Sequence, residues 1–327
     1  LGSTTIHRRY IRRVWTADKP IRWRTGAAIE GFKETRTRDG VELVSDEVDA
    51  KPIRSPEGAP SRFRHIGDFE LTQYADWSQV SALFAPLFAR AATLEAKSPL
   101  RAEIARIRAA SPDAKTRATE ALKLVQGQVR YVFLGMNQGG LIPATADETW
   151  RRRFADCKGK TVLLLALLRE LGIEGVATVV STYDGDGLDA RLPRVGAFDH
   201  VIVRATIDGK TYWLDGTRRG ELSLDLLTPP NFRWALPVAT GGAGLVPIVR
   251  PDLAKPSTEQ TLTIDMTAGL DKPARVRQET LARGDTGLFL RAMQSISEKE
   301  EFERNMLAGW RARFPWAPDA KVQIAFD

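Results

Sequence analysis

Phe154-Ala155-Asp156-Cys157-Lys158-Gly159-Lys160 leads into the almost unbroken apolar run Val162 to Leu168, which closes with Arg169-Glu170-Leu171-Gly172. The run is too long and too leucine-rich for a strand, and a glycine just past its end is a helix stop. The reading is a buried helix with Cys157, the only cysteine in 327 residues, at or just before its first turn. The unpaired N–H groups and the positive dipole end at that position favour a thiolate. A lone cysteine is also a small core hydrophobe, so the decision passes to two residues downstream.

His200 lies in Phe198-Asp199-His200-Val201-Ile202-Val203 and Asp215 in Tyr212-Trp213-Leu214-Asp215-Gly216. The two β-rich segments are joined through Asp208-Gly209, a strong hairpin signal. With those two residues as the turn, Ile207 pairs with Lys210, residue 202 faces 215 and residue 200 faces 217. Side chains alternate along a strand, so His200 shares a face with Ile202 and with Asp215 as diagonal neighbours. A three-residue loop would break this parity. A thiol at a helix start, a histidine on a strand and an aspartate on the next strand supply the parts of thiol acyl transfer. Spacing alone makes them candidates, with a structural cysteine as the alternative.

The segment from about Ala114 to Gly220 resembles the transglutaminase-like superfamily of papain-type thiol enzymes. The resemblance rests on VRYVFLGMNQGG (Val129 to Gly140), ADCKGKTVLLLALLRELGI (Ala155 to Ile173), FDHVIV (Phe198 to Val203) and YWLDGT (Tyr212 to Thr217). It implies an α+β fold: a papain/transglutaminase-like core of helices packed on an antiparallel sheet, here flanked by β-rich regions. It also implies Cys157 as nucleophile, His200 as base and then acid, and Asp215 as the group orienting His200. Such enzymes place a side-chain donor beside the nucleophile's own N–H to hold the oxyanion. Gln138 is the candidate, followed by Asn137 and Trp150, and a turn residue capping a strand is the alternative for Gln138. The expected activity is acyl transfer from peptide or glutamine-type amides through a thioester, resolved by water or an amine. The rival reading is a non-catalytic binding or scaffold module of the bacterial cell envelope. Proteins with the flanking architecture are often exported, which makes a periplasmic or other cell-envelope location the expectation.

Hydrophobic content of 43% and charged content of 27% are ordinary for a globular protein. The net charge of +7 is spread along the chain, with neither a basic tail nor a nucleic-acid motif, so nucleic-acid binding is not expected. The partner expected is a protein or peptide substrate; the oligomeric state is not legible. No apolar stretch reaches the length of a membrane span. The Asp184-Gly185-Asp186-Gly187-Leu188-Asp189 loop hints at calcium, but Leu188, Asp189 and Val195 stand where an EF-hand loop needs Asp/Asn, Gly and Glu. It reads instead as a flexible loop bordering the cleft. No metal site, nucleotide loop or redox cysteine pair is seen, so no cofactor is expected.

Residues 1–76 read as a β-sandwich-like region with strands at Tyr10 to Trp15, Val41 to Val44 and Phe69 to Gln73. Residues 77–247 form the core, with helices over Ser78 to Ala96, Leu100 to Ala110 and Ala114 to Val129. Residues 248–327 carry a strand pair, Thr261 to Met266 and Ala274 to Leu281, then helix over Thr286 to Phe314 and a strand over Lys321 to Phe326. Leu1-Gly2-Ser3 and the abrupt last strand suggest a fragment trimmed at both ends. His7 and His65 read as surface or edge residues. Arg151-Arg152-Arg153 reads as a solvated face, and Lys158 and Lys160 are read the same way.

Overall fold

The computed structural model describes residues 6–111, 113–133, 140–220 and 223–315. The chain forms two compact units, residues 1–217 with 229–250, and residues 218–228 with 251–327. The fold is α+β, with antiparallel sheets apart from one short parallel pair.

The first unit opens with β1 (Ile6–Thr16), β2 (Arg22–Thr25), β3 (Lys33–Arg36), β4 (Gly40–Ala50) and β5 (Phe69–Thr72). Strands β1, β4 and β3 make one antiparallel sheet in that order, and β2 pairs with β5. Trp23 and Phe69 on the second pair close around Phe32, whose ring stacks on Phe69 at 4.9 Å between centroids.

Three helices follow: α1 (Trp77–Ala91), α2 (Leu100–Ala110) and α3 (Ala114–Gln128). Asp76 and Asp113 cap α1 and α3 by accepting from the N–H groups of Gln79 and Thr116. Helix α1 ends five residues before the expected Ala96. The Glu95 N–H is taken by the buried Asp147 carboxylate, 2.9 Å away, rather than by a carbonyl in the turn before it.

Then come β6 (Arg130–Tyr131), α4 (Ala146–Arg152), β7 (Phe154–Ala155) and α5 (Cys157–Glu170). Every side chain of α5 from Cys157 to Leu168 is buried, as expected of a helix apolar on all sides. Asp156 caps its start by accepting from the Gly159 N–H at 3.0 Å. At its end Gly172 takes φ 74°, and the N–H groups of Gly172 and Ile173 return to the carbonyls of Arg169 and Leu168, a Schellman stop. Helices α2, α3 and α4 surround it.

The sheet beneath it contains β8 (Glu174–Val180), β9 (His200–Ile207), β10 (Lys210–Leu214), β11 (Trp234–Pro237) and β12 (Val246–Pro247), in the order β10-β9-β8-β11-β12. Alternation divides it into two faces. Gly175 of β8 lies against Leu165 and Leu168 of α5 and Val203 of β9. Val180 and Ile202 pack instead with Ala235 and Ile248, against Trp213 and Phe232.

The second unit carries β13 (Thr258–Asp265) and β14 (Arg275–Ala282) as a hairpin, then α6 (Gly284–Ile296) and α7 (Lys299–Arg313). Its hairpin and helices fall where the sequence places them. The expected strand at Lys321 to Phe326 lies outside the described residues. Among the described residues no helix is long and apolar enough to cross a membrane.

Candidate active site

Cys157 is the first residue of α5, His200 the first of β9, and Asp215 follows the last residue of β10. The β9–β10 turn has Asp208 at φ 50° and Gly209 at φ 75°, the backbone signature of a two-residue primed turn. The register runs from Lys210 opposite Ile207 to Leu214 opposite Val203. Extended by one residue it sets Asp215 opposite Ile202 and diagonal to His200, the parity expected from the Asp-Gly turn. His200 Nε2 lies 2.9 Å from Asp215 Oδ2. The Cys157 thiol is close enough to the ring to be among the groups that favour its charged form. The three residues are 2%, 7% and 7% exposed.

Asp215 is fixed on several sides. Its Oδ1 accepts from the Thr217 N–H at 2.8 Å and the Thr217 hydroxyl at 2.7 Å. Its backbone carbonyl accepts from Gln126 Nε2 of α3 at 2.9 Å. Gly216 permits that approach, since a Cβ there would stand 3.1 Å from Val125 and 3.3 Å from Lys160. Burial alone would raise the Asp215 carboxyl. The His200 charge and hydrogen bond and the two Thr217 bonds outweigh it and hold the group below the usual carboxylate range. For His200 burial disfavours the imidazolium, yet the charge and hydrogen bond of Asp215, with those of Cys157, push it up to about 10. Phe232 closes one side of the ring, edge-on at 5.9 Å between centroids.

The floor under Cys157 is equally closed. Asp156 both caps α5 and pairs with Lys158 Nζ. Lys160 Nζ donates to the Val129 carbonyl. Both lysines are 1% exposed, which overturns their reading as part of a solvated face. Asp156, next to Cys157 in the chain, neutralises Lys158, and the Val129 carbonyl at the end of α3 accepts from Lys160. Gly159 is obligatory here, because a Cβ would lie 2.8 Å from the Ala155 Cβ and 2.9 Å from Thr149 Oγ1. The Thr161 hydroxyl donates to the Val201 carbonyl at 3.0 Å, tying α5 to β9 one residue beyond His200.

The arginine run is exposed as expected: Arg151 pairs with Glu95, Arg152 with Glu148, and the Arg153 guanidinium stacks 3.4 Å over the Trp150 ring. Gln138 and Asn137 lie outside the described residues. Trp150, the third oxyanion candidate, is buried beneath Arg153 on α4. Among the described residues no cluster of three or more His, Cys, Asp or Glu is arranged to hold a metal ion.

The loop between β8 and β9 is held down rather than free. Buried Arg191 donates to Glu70 of β5 and, at 2.8 Å, to Asp68. Glu70 also accepts from the Leu192 N–H at 3.2 Å. His65 contacts Asp68 at 2.8 Å and Arg191 at 2.7 Å, so it is not the partnerless surface residue expected. Asp68 is three positions along, but Arg191 arrives from more than a hundred residues away and leaves no local trace. His7 is exposed and paired with Asp49, as an edge residue should be.

Sequence reasoning also missed the supports of the site. Asp156 is legible as an N-cap immediately before an apolar run, and Thr217 as a hydroxyl two residues after an aspartate. Gln126 is a polar residue among the buried positions of α3, a weaker signal.

The chain matches no protein-family model and no curated protein. Its fold is shared with a candidate protease from Parabacteroides distasonis, at a TM-score of 0.58 and 14% identity over 83% of this chain and 53% of that one. The chain thus spans about half the length of that protein. A candidate cysteine protease from Cytophaga hutchinsonii (TM-score 0.26, 14% identity, 86% and 82% covered) and a TGase (0.25, 12%, 59% and 46%) also match. Those two scores are too low to carry any argument.

Proposed function

We propose that the protein is a thiol acyl-transfer enzyme of the transglutaminase-like superfamily, acting on peptide or glutamine-type amides. The observation that carries the reading is one buried imidazole, His200, hydrogen-bonded to Asp215 at 2.9 Å, with the only cysteine among the groups that favour its charged form. Asp215 orients the ring and favours its charged form, so the proton shared with Cys157 rests on His200 at low energetic cost. The thiolate attacks the amide carbonyl carbon, forming the C–S bond. The Cys157 backbone N–H, unpaired at the helix start, receives the oxyanion, with Gln138 retained from the sequence as its side-chain partner. His200 gives its proton to the departing nitrogen as the C–N bond breaks, leaving a thioester and a free amine or ammonia. Water or a second amine, deprotonated by His200, then displaces Cys157.

Incubation with a glutamine-bearing protein and a labelled amine tests the reading. Label uptake, or ammonia or peptide release without uptake, is expected in wild type and absent in Cys157→Ala. The first outcome identifies a transferase and the second a hydrolase. If neither occurs and Cys157 alkylation is indifferent to His200→Ala, the reading fails and the binding-module alternative gains.

A further inference from the structure

β6 and β7 form a short parallel ladder beside the start of α5, with Tyr131 opposite Ala155 and Arg130 opposite Phe154. Its backbone bonds run from the Arg130 N–H to the Arg153 carbonyl at 2.8 Å and from the Val132 N–H to the Ala155 carbonyl at 2.9 Å. Residues opposite each other in a ladder present their side chains on the same face. The Ala155 Cβ faces the first turn of α5, since it would stand 2.8 Å from a Cβ on Gly159, two residues after Cys157. The Tyr131 side chain therefore leaves the ladder on the side of the Cys157 turn. It is half-buried, and among the described residues no hydrogen bond engages its hydroxyl.

The electrostatics agree with this placement. Burial, and after it the negative charges of Cys157, Asp215, Asp156 and Asp199, push the Tyr131 phenol up to about 12. It therefore keeps its proton wherever the thiol–imidazole pair works. It is a neutral donor in a region crowded with negative charge, and it costs least when its proton points at an oxygen acquiring charge.

We infer that the Tyr131 hydroxyl is a substrate-contacting oxyanion donor, hydrogen-bonding the carbonyl oxygen of the acyl group under attack by Cys157. This rests on the thiol acyl-transfer reading and adds to it a second side-chain donor for the oxyanion. In the attack the carbonyl π pair moves onto oxygen as the C–S bond forms, and the O–H of Tyr131 joins the Cys157 N–H in holding it. No proton leaves the phenol, and the pair returns when the leaving group departs.

Two electrophiles separate this role from others. p-Nitrophenyl acetate acylates Cys157 through a tetrahedral oxyanion and releases p-nitrophenolate. Iodoacetamide alkylates the same sulfur by displacement of iodide, with no oxyanion. In Tyr131→Phe the acylation rate constant is expected to fall by about 10²-fold, while the alkylation rate and its pH profile stay at wild-type values. Equal loss in both reactions would overturn the inference in favour of an effect on the thiol or the fold. Retention of both within threefold would overturn it outright. Failure of the underlying reading has a different signature: wild type and His200→Ala would then acylate at the same rate as a free thiol.

Discussion

The β9–β10 and β13–β14 hairpins are both antiparallel pairs closed across a positive-φ glycine, Gly209 at 75° and Gly269 at 114°. In β9 every residue is buried except the half-buried Arg204 and Thr206. In β13 every residue is exposed, and in β14 only Gln278 and Ala282 are partly covered. Each hairpin also carries an ion pair of similar length, His200–Asp215 at 2.9 Å and Arg277–Glu279 at 2.6 Å. The side chains of the first are 9% and 8% exposed and those of the second 73% and 59%. Water screens the second pair to a fraction of a kcal/mol, whereas burial allows the first to move a proton equilibrium. Turn chemistry makes a hairpin; only the layers packed on it make its charges useful.

The comparison breaks most directly at the sulfur. Cys157→Ala is expected to lower acyl transfer by at least ~10³-fold, while Arg277→Ala leaves turnover within twofold; initial rates on one substrate decide it. A large loss in Arg277→Ala would mean that the exposed hairpin contributes to the chemistry.

Packing supplies the next effect. Ile202→Ala, emptying a site between Val180 and Ala235, should cost about 2–5 kcal/mol in urea unfolding. Ile264→Ala in the exposed β13 should stay within about 0.5 kcal/mol. Similar costs at both sites would erase the distinction.

Acid–base linkage sharpens it further. His200 titrates higher folded than its ordinary 6.5, at about 10. Its contribution to stability is complete below 6.5 and is lost as pH rises through about 10. Asp215, held below its ordinary 3.8, contributes above that value, and its share is lost in acid. Urea midpoints of wild type should therefore fall between pH 6.5 and 10. His200→Asn, with no titrating ring, should lack that particular decline, and parallel curves for the two would contradict the pairing.

The smallest effect lies in the turn. Gly209→Ala, at φ 75° with open space around it, should cost about 1 kcal/mol, and Gly209→Asn less, because asparagine tolerates that backbone. Thermal midpoints of the two variants measure the difference.

The parts of the site that follow from neighbours in sequence were legible. Asp208-Gly209 sets the register that brings Asp215 diagonal to His200, and Gly172 ends α5 where the pattern stops. The parts that depend on burial were not. Lys158 and Lys160 have the composition of a solvated face, and only packing by α3 and α4 makes them interior. The Tyr131–Ala155 ladder and the Arg191–Glu70 pair join residues 24 and 121 positions apart. No local periodicity records such partners, because each needs a finished tertiary structure to meet. His65 was misjudged for the same reason.

The Arg191 anchorage bears on what can be excised from this gene product. Cys157, His200 and Asp215 lie within 59 consecutive residues, which invites cutting out the stretch from α1 onward as a portable cassette. Such a cassette would carry all three residues of the proposed triad. It would lack Asp68 and Glu70, leaving a buried guanidinium without its carboxylates and the approach to His200 untethered. A unit that keeps the Arg191 pairs extends back through β5, so a foreign leader joined at Trp77 would keep Cys157, His200 and Asp215 and lose the partners of Arg191.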